Sequence, residues 1–245
     1  MELIDPDPIL GQPLAHFPSD RLRPLIVAGV VGAPIALALG LTTAQVSAWW
    51  GPVVTVVIIA PVTLILAWYV LHGWNREIIL YERGFSYREG SKTVFFRYNE
   101  IASIRLRAER LAYFGGLIRR NIYRFTVTTT EAERFTITNL YHRAAELGTK
   151  LTEQINLVLQ PQITQKIAEG SAVAFGDTLT VKADGLHENG RDLSWEAFGG
   201  YRIGGRQLAL LDQSGAVWYT LPLAEVDNIT LLVDLLRQRQ GVAPN

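Results

Sequence analysis

The 245-residue chain contains no cysteine and one methionine. Without thiols it has no disulfide framework, thiolate zinc site, iron–sulfur cluster or cysteine nucleophile. It also lacks an excess of charge of either sign. The 23 basic and 23 acidic residues leave a formal net charge of zero, so no global field calls for nucleic acid. No G-x-S-x-G elbow occurs. The four histidines, His16, His72, His142 and His187, stand at no ligand spacing from one another or from a useful carboxylate. "GGYRIGG" (199–205) lacks the Gly-Lys-Ser/Thr ending of a phosphate loop and reads as a hairpin. Glu188, Asp192 and Glu196 near His187 read as solvated charges on a strand turn. These absences argue against an enzyme, and no cofactor, metal or small-molecule substrate is evident from the residues.

The neutral total hides a split. Residues 1–74 carry two basic and four acidic side chains, residues 75–159 fourteen and nine, and residues 160–245 seven and ten. Only the middle stretch is basic. Charge is absent altogether from residues 24–43 and 52–71, and each stretch as a helix matches the roughly 30 Å hydrocarbon core. Pro34 and Pro61 are tolerated in spans, where neighbouring groups satisfy the freed carbonyl. Trp49 and Trp50 in the short connection, and Trp68, Tyr69 and Trp74 at the far end, occupy interface positions. Arg21, Arg23 and Arg76 flank the pair while its connection has no basic residue, which puts both termini in the cytoplasm. A cleaved signal peptide ending at Val46-Ser47-Ala48 fits poorly with the long acidic start. The expected location is a cell inner membrane, crossed twice. On the first span Gly29, Gly32, Ala33, Ala36 and Gly40 fall on one face and are the expected helix-packing residues, toward the second span or an external helix.

Beyond the spans the pattern repeats. "LYERGFSYREG" (80–90) parallels "VKADGLHENGR" (181–191), with Gly84 or Gly185 marking one turn and Gly90 or Gly190 the next. Tyr98 then matches Trp195, and Ile101 matches Phe198. Hairpins follow, with turns at Thr130-Glu131-Ala132 and Gln213-Ser214-Gly215. Helical periodicity closes each half: Leu140, Ala144, Leu147, Leu151, Ile155 and Leu159, then Leu223, Val226, Ile229, Leu232, Val233 and Leu236. Asn139 and Pro222 suit helix starts, and Pro161 is expected to end the first helix.

Strand order, closing helix and these turn-plus-aromatic stretches over residues 76–239 resemble the pleckstrin-homology-like (PH-like) fold, in particular a bacterial membrane-protein family with two such modules in tandem. The fold class implied is membrane-anchored α+β: a two-helix transmembrane hairpin, then two PH-like β-sandwich or barrel modules, each closed by a C-terminal helix. The expected boundaries are a cytoplasmic segment 1–23, hairpin 24–74, modules 75–160 and 161–240, and a tail 241–245.

The halves diverge in one place. Matched positions stand 97 apart at Ile104 and Tyr201 but 83 apart at Thr130 and Gln213, so the first half carries about fourteen extra residues. They lie within "RLRAERLAYFGGLIRRNIYR" (105–124). An apolar tip ringed by arginines suits an anionic membrane surface or a protein partner. Arg107, Arg110, Tyr113, Phe114, Leu117, Ile118, Arg119 and Arg120 are the expected contact residues. The other reading has the tip packed on its own module, with the arginines in water or paired to Glu109 and Glu100. The near-cancelling charges Glu82, Arg83, Arg88, Glu89 and Lys92 depart from phosphoinositide-binding PH patterns. The functional expectation is a non-catalytic binding or scaffold protein, an accessory subunit or assembly factor of a membrane complex. Its partners are then membrane lipids and other membrane proteins, not nucleic acid. The alternative is a membrane-surface sensor of anionic lipid headgroups.

Overall fold

Residues 13–18, "PLAHFP", precede the first apolar run, yet they form a strand with residues that follow the second. In the computed structural model, which describes residues 6–45, 51–113 and 118–240, Pro13–Pro18 (β1) pairs antiparallel with Arg76–Tyr81 (β2). Gly84–Glu89 (β3) and Lys92–Arg97 (β4) complete a sheet in the order β1-β2-β3-β4. Residues 13–18 of the expected segment 1–23 therefore belong to the first sheet. Phe17, Ile78 and Phe85 are wholly buried against one another's layer, and each contributes about 1.5–3 kcal/mol by leaving water.

The chain leaves this sheet between β1 and β2 to make Leu22–Gln45 (α1) and Gly51–Trp74 (α2). Both helices are long and apolar enough to cross a membrane; Pro24–Leu41 and Val56–Trp74 have mean hydropathy 2.2 and 2.1, and almost none of either stretch is buried by protein. Pro34 and Pro61 lie inside them. Ser19 closes the base: its N–H donates to the Arg76 carbonyl (2.8 Å) and its hydroxyl to the Trp74 carbonyl (2.9 Å). The two helices thus start and finish at adjacent points of one sheet.

Contacts divide the chain into two compact units, residues 1–96 with 140–143 and residues 97–139 with 144–245. The second unit holds Ile101–Tyr113 (β5), Ile118–Thr129 (β6) and Arg134–Ile137 (β7) as one sheet. Ala144–Ala168 (α3) follows. Val173–Ala174 (β8), Leu179–Val181 (β9), Gly185–Glu188 (β10) and Arg191–Ser194 (β11) make a four-stranded sheet. Phe198–Gly204 (β12), Gln207–Asp212 (β13) and Val217–Pro222 (β14) make a three-stranded one, and Ile229–Gln240 (α4) ends the unit.

The pattern of four strands, three strands and a helix therefore occurs twice, down to individual hydrogen bonds. Thr129 N–H donates to Glu133 O and Ala132 N–H to Thr129 O, while Asp212 N–H donates to Ala216 O and Gly215 N–H to Asp212 O. Ala132 (φ 65°) and Gly215 (φ 82°) hold the same left-handed corner. Thr130 N–H reaches Glu100 O, as Gln213 N–H reaches Ala197 O. Both ladders are irregular at their first rung, Ile101/Ser103 and Phe198/Gly200. Arg143 (φ 55°) and Asn228 (φ 49°) each turn the chain immediately before a helix. One connection differs in kind. Four residues, Phe175–Thr178, join β8 to β9 where the helical hairpin joins β1 to β2.

Gly84 and Gly185 are the first residues of β3 and β10, one step past the turns they were expected to mark. Asn139 does not start a helix; its side chain accepts from Tyr123 N–H (2.9 Å), and α3 begins at Ala144. Nor does Pro161 end α3, which runs on to Ala168. The carbonyl Pro161 leaves without a donor belongs to Leu157, itself 67% exposed, so this side of the helix faces solvent that can supply a donor. Leu147, Leu151 and Ile155, four residues apart, are fully buried along the other face.

Candidate functional site

The β5–β6 hairpin is built from strands of thirteen and twelve residues, against seven and six for its counterpart β12–β13. Alternation sorts its base into two faces. Ile104, Phe125 and Val127 point inward, at 3%, 3% and 0% exposure. Arg105, Arg107 and Arg124 point the other way.

Arg105 is used within the fold. Its Nε donates to Asp227 Oδ1 (2.8 Å) and its Nη2 to Asp227 Oδ2 (3.1 Å), with Asp177 at 3.5 Å. The hydrogen bond to Asp227 holds the guanidinium pKa above its usual value. Beside this pair Asn228, 4% exposed, accepts the Ile104 N–H on Oδ1 (2.9 Å) and donates its own N–H to the Ile104 carbonyl (2.9 Å). The second strand set is thereby stitched to the edge of β5.

Further out, exposed Arg107 stands directly opposite exposed Arg124. Arg110 is opposite Asn121, Leu111 opposite Arg120, Ala112 opposite Arg119 and Tyr113 opposite Ile118. Backbone pairing thus brings six of the eight expected contact residues onto one two-stranded arm. Phe114 and Leu117 lie outside the described residues. Glu100 is occupied otherwise, accepting the Arg97 N–H at 3.0 Å.

The small residues of α1 separate. A Cβ at Gly32 would stand 3.1 Å from Leu66 of α2, whereas Gly29 and Gly40 meet nothing within 4 Å. Ala33 and Ala36 are exposed. Gly32 belongs to the hairpin's own packing; the other four sit away from α2.

His187 is held between Asp192 (Nδ1 to Oδ1, 2.6 Å) and Asp184 (Nε2 to Oδ1, 3.0 Å). The imidazole holds the Asp184 carboxyl below its usual range. Glu188 is buried beside them and accepts from Asn189 Nδ2 (2.6 Å). Among the described residues no three His, Asp or Glu side chains are grouped to hold a metal ion.

Sequence reasoning missed Asp227, Asn228 and Asp177, and it missed a cavity of about 420 Å³ beneath the hairpin base, bordered by Leu106, Tyr123, Phe125 and α3. No local motif announces either feature, because the partners are far apart in the chain.

One family model matches residues 6–244; it describes a family of unknown function, DUF6585. No curated protein and no solved structure matches the chain.

Proposed function

The chain belongs to the DUF6585 family, whose function is unknown, and for this chain we propose a non-catalytic, membrane-anchored binding or scaffold protein, an accessory subunit or assembly factor of a membrane complex. The observation that carries the reading is the extended β5–β6 arm. Arg107 and Arg124 stand opposite each other on its ladder and both are exposed. Arg105, two residues inward, is bound to Asp227 and less exposed. An arm that outgrows its counterpart and carries exposed arginines suits an external acidic partner.

On this reading α1 and α2 cross the bacterial inner membrane, and both termini lie in the cytoplasm. Support comes from their hydropathy and from the β1–β2 pairing, which requires both helix ends on one side of the bilayer. Cleavage after α1 would separate β1 from its partner strand. Each set of seven strands and its helix is read as a PH-like module, the membrane hairpin replacing the first strand connection of the first module.

The paired arginines also favour a second reading, in which the arm senses anionic headgroups, each basic residue near such a surface adding about 1 kcal/mol. Charge reversal separates the two. Full-length protein carrying Arg107→Glu and Arg124→Glu is reconstituted in neutral nanodiscs and mixed with phosphatidylserine vesicles. If the arm binds protein, wild type and variant float equally poorly with the vesicles, and only the wild type retains its membrane-protein companions. Strong flotation of the wild type alone would favour the lipid sensor.

A further inference from the structure

The cavity under the hairpin base belongs to neither reading. Its volume, about 420 Å³, lies within the range of small-molecule sites. Its walls are Leu106 of β5, the rings of Tyr123 and Phe125 of β6, one face of α3, and Ile229 at the start of α4. Tyr123 and Phe125 lie nearly parallel, 15° apart, and give it an aromatic side.

Its neutral polar groups include the Thr149, Thr152 and Thr230 hydroxyls, and its charge is of one sign. Among the described residues that line it, Glu153 is the only charged side chain. Asn156 also borders it, and the Asn156 Oδ1 is buried with no hydrogen-bond partner among the described residues. A buried acceptor left unmade is unfavourable, and the carboxamide torsion is soft enough to turn that oxygen toward a bound donor. The arginines of the hairpin cannot supply the donor, since alternation puts Arg105, Arg107 and Arg124 on the opposite face from Leu106, Tyr123 and Phe125. A carboxylate, an unpaired acceptor and two aromatic rings all favour a cation with an apolar body.

We propose that this cavity binds a small apolar molecule bearing a protonated amine, its body against Tyr123 and Phe125 and its ammonium shared between Glu153 and Asn156. The inference does not depend on what the arginine arm contacts.

The test uses full-length protein in neutral nanodiscs, titrated calorimetrically with tryptamine and, separately, with indole-3-acetate, which carries the same ring system on an anion. Empty nanodiscs supply the blank. Tryptamine binds saturably at one site, about tenfold tighter than the anion, the size expected of one partly solvated charge-assisted hydrogen bond. Glu153→Gln, an exposed helix position, brings the two ligands within about threefold of each other. Thr152→Phe, which fills the cavity from α3, removes saturable binding. Equal affinity for the two probes in wild type, no saturable tryptamine binding, or unchanged binding in Thr152→Phe would each overturn the proposal. Should Thr152→Phe fail to fold, the Glu153→Gln comparison decides alone.

Discussion

Asn228→Ala should lower the stability of the unit that holds β5–β14 by about 3 kcal/mol, read as a fall of about 6–12 °C in the unfolding midpoint of the detergent-solubilised protein. Two effects add. The Ile104 N–H loses its only side-chain acceptor in a buried setting, which costs about 1–3 kcal/mol. Alanine must also hold a φ of 49°, a conformation asparagine tolerates and alanine resists by about 1–2 kcal/mol. Asn228→Gly separates the two contributions, because it removes the acceptor but holds the positive φ without strain. It should recover about 1–2 kcal/mol of the loss. An Asn228→Ala protein that melts within 1–2 °C of wild type would mean the two strand sets are held together by packing alone.

Gly148→Val should be the most damaging single change outside α1 and α2. At Gly148 the α3 backbone lies directly against the Phe125 ring of β6, and a Cβ there would collide with that ring. Phe125 is 3% exposed and cannot swing into water without opening the core. Overpacking of this kind costs about 1–3 kcal/mol when the core can shift, and more where a ring meets backbone-fixed atoms. Loss of folded protein on expression, or a midpoint lowered by at least 10 °C, is the expected result. Phe125→Ala in the same chain should recover part of the loss relative to Gly148→Val alone, because it removes the colliding ring. If the double variant is no more stable than Gly148→Val, the clash is not with Phe125 and the helix–sheet spacing has been misread.

How much of this was legible from residue order depends on the distance over which each feature is specified. The hairpin turns were, since Gly90, Gly190 and the Asp212 to Ala216 turn encode their own backbone. So were the closing helices, whose buried faces repeat at steps of three and four. β1 was not, because "PLAHFP" holds two prolines and its partner strand lies beyond two membrane-length helices. The persistence of α3 past Pro161 was hidden as well, since it depends on which face of the helix that proline occupies. Arg105 could be read as a basic residue of the arm, but its partner Asp227 stands 122 positions away. Pairing at that separation is set by tertiary packing, so the arginine that is structural could not be told from those left exposed.

The most direct test of the account is to extract the full-length protein from its native membrane in mild detergent, with and without residues 107–120, and identify what co-purifies. Leu106 pairs with Phe125, so the deletion leaves residues 121–124 as a turn of ordinary length and keeps the Arg105–Asp227 and Asn228–Ile104 contacts. A fixed membrane-protein companion is expected, lost from the shortened protein while its melting midpoint is unchanged. A companion retained at full yield without the arm, or no companion for either form, would contradict it.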